Sequence, residues 1–322
     1  MMAGRIPKVV VLGPVYVDMA MRCSRFPGPG QTTEGSGFAC IPTGAGALSA
    51  VQAAVCGCQV HLLGKVGNDV FGTMACESLV RYGVNTDFVY KAPAISTGII
   101  MTLVDESGEN SSCVSQGANR ALSHDEVGCA LAEQLIGSAD ACLICSGIDP
   151  AVAAMAIRVG QLNRTRVIVE TPVHLDDAGH LKPLEWPKEF FLADVLVPSV
   201  VGTVLRSESS PGTVSEMKYV GTELVAAGFA CVVVKMGVRG TLVVDRDGPI
   251  RVVGPEHRPV DGTARDEAFA GALTAAISAQ DPPVRAAKFA SAAAALACRR
   301  FGSLDALPKK EEIIELLQAE PD

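Results

Sequence analysis

Apolar positions along this chain fall into two rhythms. Largely apolar runs at residues 9–12, 60–63, 141–145, 166–169, 195–197 and 231–234, many of them rich in β-branched side chains, predict short buried strands. Spacing of three and four residues predicts helices over 122–136, 152–160, 215–227, 267–279 and 284–298, and an amphipathic helix over 308–317. A glycine-rich loop leads into a helix of small residues within 42–57, and another helix follows 67–72 and ends near Tyr82 and Gly83. Residues 16–21 alternate like a half-exposed strand, residues 97–104 and 111–115 flank a turn as a hairpin, and Val252 and Val253 form a last short strand. Strands alternating with helices predict a mainly parallel sheet covered on both faces, with antiparallel segments from the first hundred or so residues standing apart from it. That is one α/β domain with a small β appendage, and ligands of such sheets lie beyond the carboxyl ends of the strands, near Gly13, Gly237 and residues 259–272. No internal repeat or low-complexity linker divides the chain.

Composition narrows the class. The 322 residues are 48% hydrophobic and 19% charged, enough apolar material for a large core. No run approaches eighteen apolar residues, so neither a membrane span nor a signal peptide is expected, and the expected location is the cytoplasm. A net charge of −8 argues against a general nucleic-acid or anionic-membrane surface. The eleven cysteines show no framework spacing and read as reduced thiols, with Cys142 and Cys145 inside a strand. The five histidines form no ligand pattern, and no zinc site is expected.

Candidate chemistry concentrates in residues 259–272. Phe269, Leu273, Ala276 and Ile277 place a helix start near Asp266, so Asp266 and Glu267 fall in its first turn, as an acidic N-cap or as carboxylates acting on a bound phosphate. From these residues alone the cap is the plainer reading. Gly44, Ala45 and Gly46 form a second glycine loop. As a dinucleotide fingerprint, which would make the protein an NAD-dependent oxidoreductase, it lacks its third glycine, because Ser49 stands there. Gly64-Lys65 is followed by Val66 and is no Walker loop.

Taken together, V-V-V-L-G-P-V-Y-V-D, P-G-P-G-Q-T, G-K-V-G-N-D-V-F-G, D-E-S-G-E-N-S, Q-G-A-N and V-V-V-K-M-G-V-R-G-T-L-V-V-D resemble, in order and spacing, the ribokinase or PfkB family of carbohydrate and nucleoside kinases. The resemblance covers nearly the whole chain. It implies a ribokinase-like α/β fold over residues 1–322, with a β lid from about 15–41 and 96–117. It also implies ATP and Mg2+ as cofactors, a sugar or nucleoside substrate, a monovalent-cation stretch at 301–304, and a homodimer formed through the lid. The family signature, Asp-Thr-x-Gly-Ala-Gly-Asp followed by x-Phe-x-Gly-Ala, aligns without a gap on Asp261 and on Phe269, Gly271 and Ala272. That alignment puts Glu267 at the position of the catalytic base and Ala264, Arg265 and Asp266 where the Gly-Ala-Gly anion hole belongs. Asp18 matches a sugar-contacting aspartate, while Tyr16 replaces an asparagine beside it. The sugar loop Gly-Gly-Lys-Gly-Ala-Asn corresponds to 43–48, so Gly44 is kept and Ala45 and Leu48 replace polar contacts. Gly237, Arg239 and Gly240 match the nucleotide-side motif, with Lys235 where a small hydroxylated residue is usual, and an Asn-x-x-Glu magnesium-phosphate motif is replaced over 199–202.

Each change has its own physics. Glu267 keeps a carboxylate able to accept a proton, displaced by roughly 1.5 Å. Asp266 adds negative charge where a phosphoryl group must be stabilised, and Arg265 offsets it only if it turns inward. Two readings follow: a divergent ATP-dependent kinase acting on an unusual sugar or nucleoside hydroxymethyl, and a kinase-fold protein that binds a metabolite or partner without transferring phosphate.

Overall fold

The computed structural model describes residues 5–201, 213–255 and 259–319. Its main sheet has nine strands. The first strand, β1 (Lys8–Leu12), is flanked on one side by β4 (Gln59–Gly67) and then β5 (Val84–Ala92). On the other side lie β8 (Ala141–Ile144), β9 (Arg166–His174), β10 (Val195–Val201), β11 (Val232–Lys235), β12 (Thr241–Asp245) and β13 (Gly248–Val252). All neighbours from β5 to β11 pair in parallel; β12 and β13 close the edge antiparallel. Side chains alternate across this sheet. Val9 and Val11 pack on one face beside helices α1 (Ala45–Val55), α2 (Val70–Arg81), α7 (Arg265–Ser278), α8 (Pro283–Ala297) and α9 (Lys310–Ala319). Val10 and Leu12 pack on the other, beside α3 (His124–Val127), α4 (Ala130–Gly137), α5 (Pro150–Asn163) and α6 (Val214–Ala226). The same alternation sends Cys142 and Cys145 into opposite core clusters, so this C-x-x-C cannot act as one site.

A second sheet carries β2 (Tyr16–Cys23), β3 (Gly35–Thr43), β6 (Gly98–Val104) and β7 (Asn110–Ser115) in the order β3-β2-β6-β7. The β2–β3 register shifts between Ala20 and Arg22. The fold is therefore the expected mainly parallel sheet with a separate β unit, but three strands differ from the sequence reading. β3 falls in residues 15–41 that only the resemblance assigns to a β lid, and it runs on through Pro42 and Thr43, where the pattern places the glycine-rich loop before α1. β5 carries polar Asn85, Thr86, Asp87 and Lys91 on the sheet edge, where solvent removes the apolar signal. β12 lies inside the stretch recognised only as a motif. The helix expected over 122–136 is broken into α3 and α4, because Ser123 caps α3 reciprocally with Glu126 and Gly128 ends it.

Two polar side chains join the second sheet to the main one. Asn119 accepts from the Val15 amide at 2.8 Å and donates to the Val15 carbonyl at 2.8 Å, replacing a strand partner at the point where the chain leaves β1. Asp69 caps α2 by accepting from the Gly72 amide and also accepts from the Thr97 amide and hydroxyl. Asn119 is buried, so Asn119→Ala leaves both Val15 groups unpaired and is expected to lower stability by about 2 kcal/mol. Urea unfolding followed by circular dichroism checks this value.

Candidate active site

The ends of β1 and β11 and the starts of α1 and α7 converge at the carboxyl rim of the main sheet. Gly13 follows β1 and touches the start of α1: a Cβ on Gly13 would lie 2.5 Å from Gly46 Cα, and one on Gly46 2.4 Å from the Gly13 carbonyl carbon. Only glycine at both positions lets the chain exit β1 so close to the helix. On α7, a Cβ on Gly271 would lie 2.5 Å from the Ser49 carbonyl oxygen, so α7 packs backbone to backbone on α1. Their first turns thereby open onto the same rim.

The first turn of α7 is not capped by an acid. Ala264 occupies the N-cap and makes no side-chain bond, which overturns the reading of Asp266 and Glu267 as an acidic cap. Lys235, at the end of β11, reaches Glu170 Oε1 of β9 at 3.4 Å and Asp266 Oδ2 at 3.4 Å. Arg265 Nε holds the other oxygen, Asp266 Oδ1, at 3.2 Å. Glu170 is 7% and Lys235 15% exposed by side chain, whereas Asp266 is 48% and Arg265 40% exposed. The cluster thus has a buried floor and an open upper edge.

Burial opposes the charge on Lys235, but Asp266, Glu170 and Glu267 outweigh it and lift its pKa above the ordinary lysine value. Lys235 and then Arg265 outweigh burial at Asp266 and hold its carboxyl below the usual range. Glu170 moves upward because complete burial exceeds the attraction of Lys235. Glu267 is different: burial, reinforced by Asp266 and Glu170, pushes its carboxyl up to about 7. Its Oε2 is shut off from solvent and has no hydrogen-bond partner. A carboxyl titrating near neutrality with a free oxygen has the properties of a proton acceptor.

Asp18 lies on the face of the small sheet shared by Tyr16. Burial raises its pKa against an opposing hydrogen bond with Thr102, and its Oδ1 is buried without a partner. Tyr16 is itself buried. Its ring is wedged between Gly44 and Gly98, since a Cβ at either position would come within 3.0 Å or 2.6 Å of a ring carbon, and its hydroxyl donates to Gln116 Oε1. Gly44 holds φ at 108°, a conformation that favours glycine. Ala45 opens α1, and Leu48 is fully buried in the core cluster, facing away from solvent. On the far side of the rim, Gly237 and Gly240 take positive φ and close the tight turn after β11. A Cβ on Gly240 would strike the Val252 carbonyl oxygen at 2.1 Å. Within that turn the Arg239 carbonyl accepts from the Arg251 guanidinium. Asp261 accepts from Thr263 with one oxygen and from the Gly302 amide at 3.0 Å with the other, tying the loop before α7 to the 301–304 stretch.

Structure therefore joins Asp266, Arg265 and Lys235 directly, places Glu267 beside them in the first turn of α7, and sets Asp18 and Tyr16 together on the small sheet. It adds Glu170, which sequence reasoning passed over. A charged residue inside the apolar run R-V-I-V-E-T-P is the signal that could have found it, because a buried carboxylate requires a partner. A cavity of about 610 Å³ lies at another rim, lined by Asp140, Arg166, Asp194 and Gln280 among others, and contains none of these candidates.

Among the described residues, side chains alone form no preformed site for a divalent cation here. Among the described residues no group of three or more His, Cys, Asp or Glu side chains is placed to hold a metal ion. Glu170 and Asp266 are engaged by an ammonium group, and the position expected to bear a magnesium motif begins at Ser199 and ends at Gly202, which lies outside the described residues.

Known proteins share this architecture. The model superposes on a ribokinase of Arabidopsis thaliana complexed with ribose and ATP at a TM-score of 0.84, with 23% identity, covering 98% of this chain and 99% of that one. A nucleoside kinase of Methanocaldococcus jannaschii matches at a TM-score of 0.74, with 15% identity, covering 99% of this chain and 100% of that one. The fold is that of the ribokinase-like α/β proteins. Residues 6–310 match the model of the pfkB family carbohydrate kinases, and the chain belongs to that family. Curated relatives include a ribokinase of Schizosaccharomyces pombe, 28% identical over 315 residues that cover 95% of this chain and 96% of that protein. A deoxyribokinase of Salmonella typhi is also 28% identical, over 310 residues covering 96% of this chain and 98% of that protein. Among the described residues no helix is long and apolar enough to cross a membrane.

Proposed function

We propose that this protein is an ATP-dependent kinase that transfers a phosphoryl group to a hydroxymethyl of a small sugar or nucleoside, with Glu267 as the base. The observation that carries this reading is the unpartnered, solvent-shielded oxygen of Glu267, on a carboxyl titrating near 7, in the same pocket as the cationic Lys235. Glu267 removes the hydroxyl proton, Lys235 and Arg265 face the transferred phosphate, and Asp18 holds a substrate hydroxyl with its free oxygen. Gly237, Arg239 and Gly240 form the nucleotide side. The small sheet acts as the lid, and its exposed Phe38 and Met101, on the face opposite Asp18, are the surface through which two copies pair. The buried Tyr16 ring, wedged against Gly44, narrows the sugar side, which disfavours an ordinary pentose.

One observation favours a second reading, in which the fold binds a metabolite or partner without turnover. The Asp266 carboxylate already pairs with the two cations that a phosphoryl group needs. Calorimetry with ATP, followed by an ADP-release assay over a panel of sugars and nucleosides, separates the two. Turnover that disappears in Glu267→Ala is the expected result. ATP binding without turnover on any acceptor supports the second reading, and no ATP binding removes the kinase.

A further inference from the structure

Beside Glu267 at the carboxyl rim, two ion-paired carboxylates, Glu170 and Asp266, face two cations, Lys235 and Arg265. The members of this cluster differ in depth. Lys235 and Glu170 form the buried floor on adjacent parts of the sheet, and Asp266 and Arg265 stand at the accessible edge on the first turn of α7. The ammonium thus lies between carboxylates from two separate elements, the arrangement otherwise suited to a bound cation. A ligand entering from the open side meets Asp266 first. Because both carboxylate oxygens of Asp266 are engaged by cations, an entering phosphate would compete for partners already matched to an oxyanion.

From this geometry we infer that Lys235 serves as a tethered cation in place of a divalent metal ion for a polyphosphate terminus, and that Asp266 holds the phosphate position until the ligand displaces it. The inference rests on the nucleotide reading above for the identity of the ligand, and on the ion pairs alone for the mode of binding. Displacement frees Lys235 and Arg265 together, while Glu170 keeps Lys235 charged and in place. Neutralising Asp266 removes the competing anion without touching the buried floor.

Calorimetric titration of the full chain with ADP and with inorganic tripolyphosphate, each in EDTA and in Mg2+, tests this. ADP affinity is expected to agree within about threefold between EDTA and Mg2+. Asp266→Asn is expected to tighten both ligands tenfold or more. Lys235→Met combined with Glu170→Gln, which leaves no unpaired buried charge, is expected to weaken tripolyphosphate at least tenfold. ADP binding that needs Mg2+, by tenfold or more, overturns the tethered cation and leaves the kinase reading standing. Lys235-dependent tripolyphosphate binding without ADP binding in either buffer upholds the tethered cation and removes the nucleotide. An Asp266→Asn protein with wild-type affinities, or no binding of either anion, refutes the inference.

Discussion

Glu267→Gln is expected to lower turnover by at least a hundredfold and, above pH 7, to make the protein more stable. The two effects share one cause. The carboxyl is held at about 7 in the folded chain, against an ordinary value near 4.5, because burial and the neighbouring Asp266 and Glu170 disfavour its charge. Between those values the folded chain keeps a proton that the unfolded chain has lost. Stability attributable to this residue therefore falls as pH rises from about 4.5 to about 7, and levels off above that. The full difference is about 3 kcal/mol, taken from roughly 1.4 kcal/mol for each pKa unit. Glutamine removes the titration, so urea midpoints of the variant should change less between pH 5 and pH 8, and at pH 8 should exceed those of the wild type. Turnover runs the other way: wild-type kcat/KM should rise with pH through an apparent pKa near 7, as the base loses its proton, and the variant should lose that limb. An unchanged pH profile in Glu267→Gln would falsify the assignment of Glu267 as the base, whatever the rate.

Lys235→Met is expected to cost about 3 to 5 kcal/mol, since it leaves Glu170, and in part Asp266, without a counter-charge in a buried place. Most of that cost belongs to the abandoned carboxylate, not to the net worth of the pair. Adding Glu170→Gln should accordingly recover most of the stability, and the chemical-denaturation midpoints of the single and double variants measure the coupling. If the single variant is as stable as the wild type, the ion pair does not exist in solution as described.

Much of the fold was legible because buried parallel strands advertise themselves. Val9 to Leu12 and Val232 to Val234 are uninterrupted β-branched or leucine runs bounded by polar residues or glycine, and both lie where the pattern placed them. β3 was illegible for the opposite reason: G-S-G-F-A-C-I-P-T pairs on a small sheet with a solvated face, where glycine and proline are tolerated. At the site, the gapless match around Phe269 and Gly271 located Glu267, and the structure then supplied what linear order conceals. Glu170 and Lys235 are 65 positions apart and meet only because the sheet sets β9 and β11 on either side of β10. Asp266 looked like a helix cap because a first-turn acid usually stabilises the helix dipole. A lysine from another strand decides its role instead.

The ring of Tyr16 and the side chain of Asn119 fasten the root of the small sheet at adjoining points: Tyr16 against two glycine backbones, Asn119 to both polar groups of Val15. Farther along β2, the Arg22 guanidinium lies over the Phe301 ring, 5.7 Å from its centroid, and the β2–β3 register shifts between Ala20 and Arg22. The hydrogen bonds of Asn119 and the packing of Tyr16 therefore fix the small sheet where it joins the main one. Asp18, two residues from Tyr16 on the same face, lies close to that fixed root, so its unpartnered oxygen is held by the framework rather than by the strand tips.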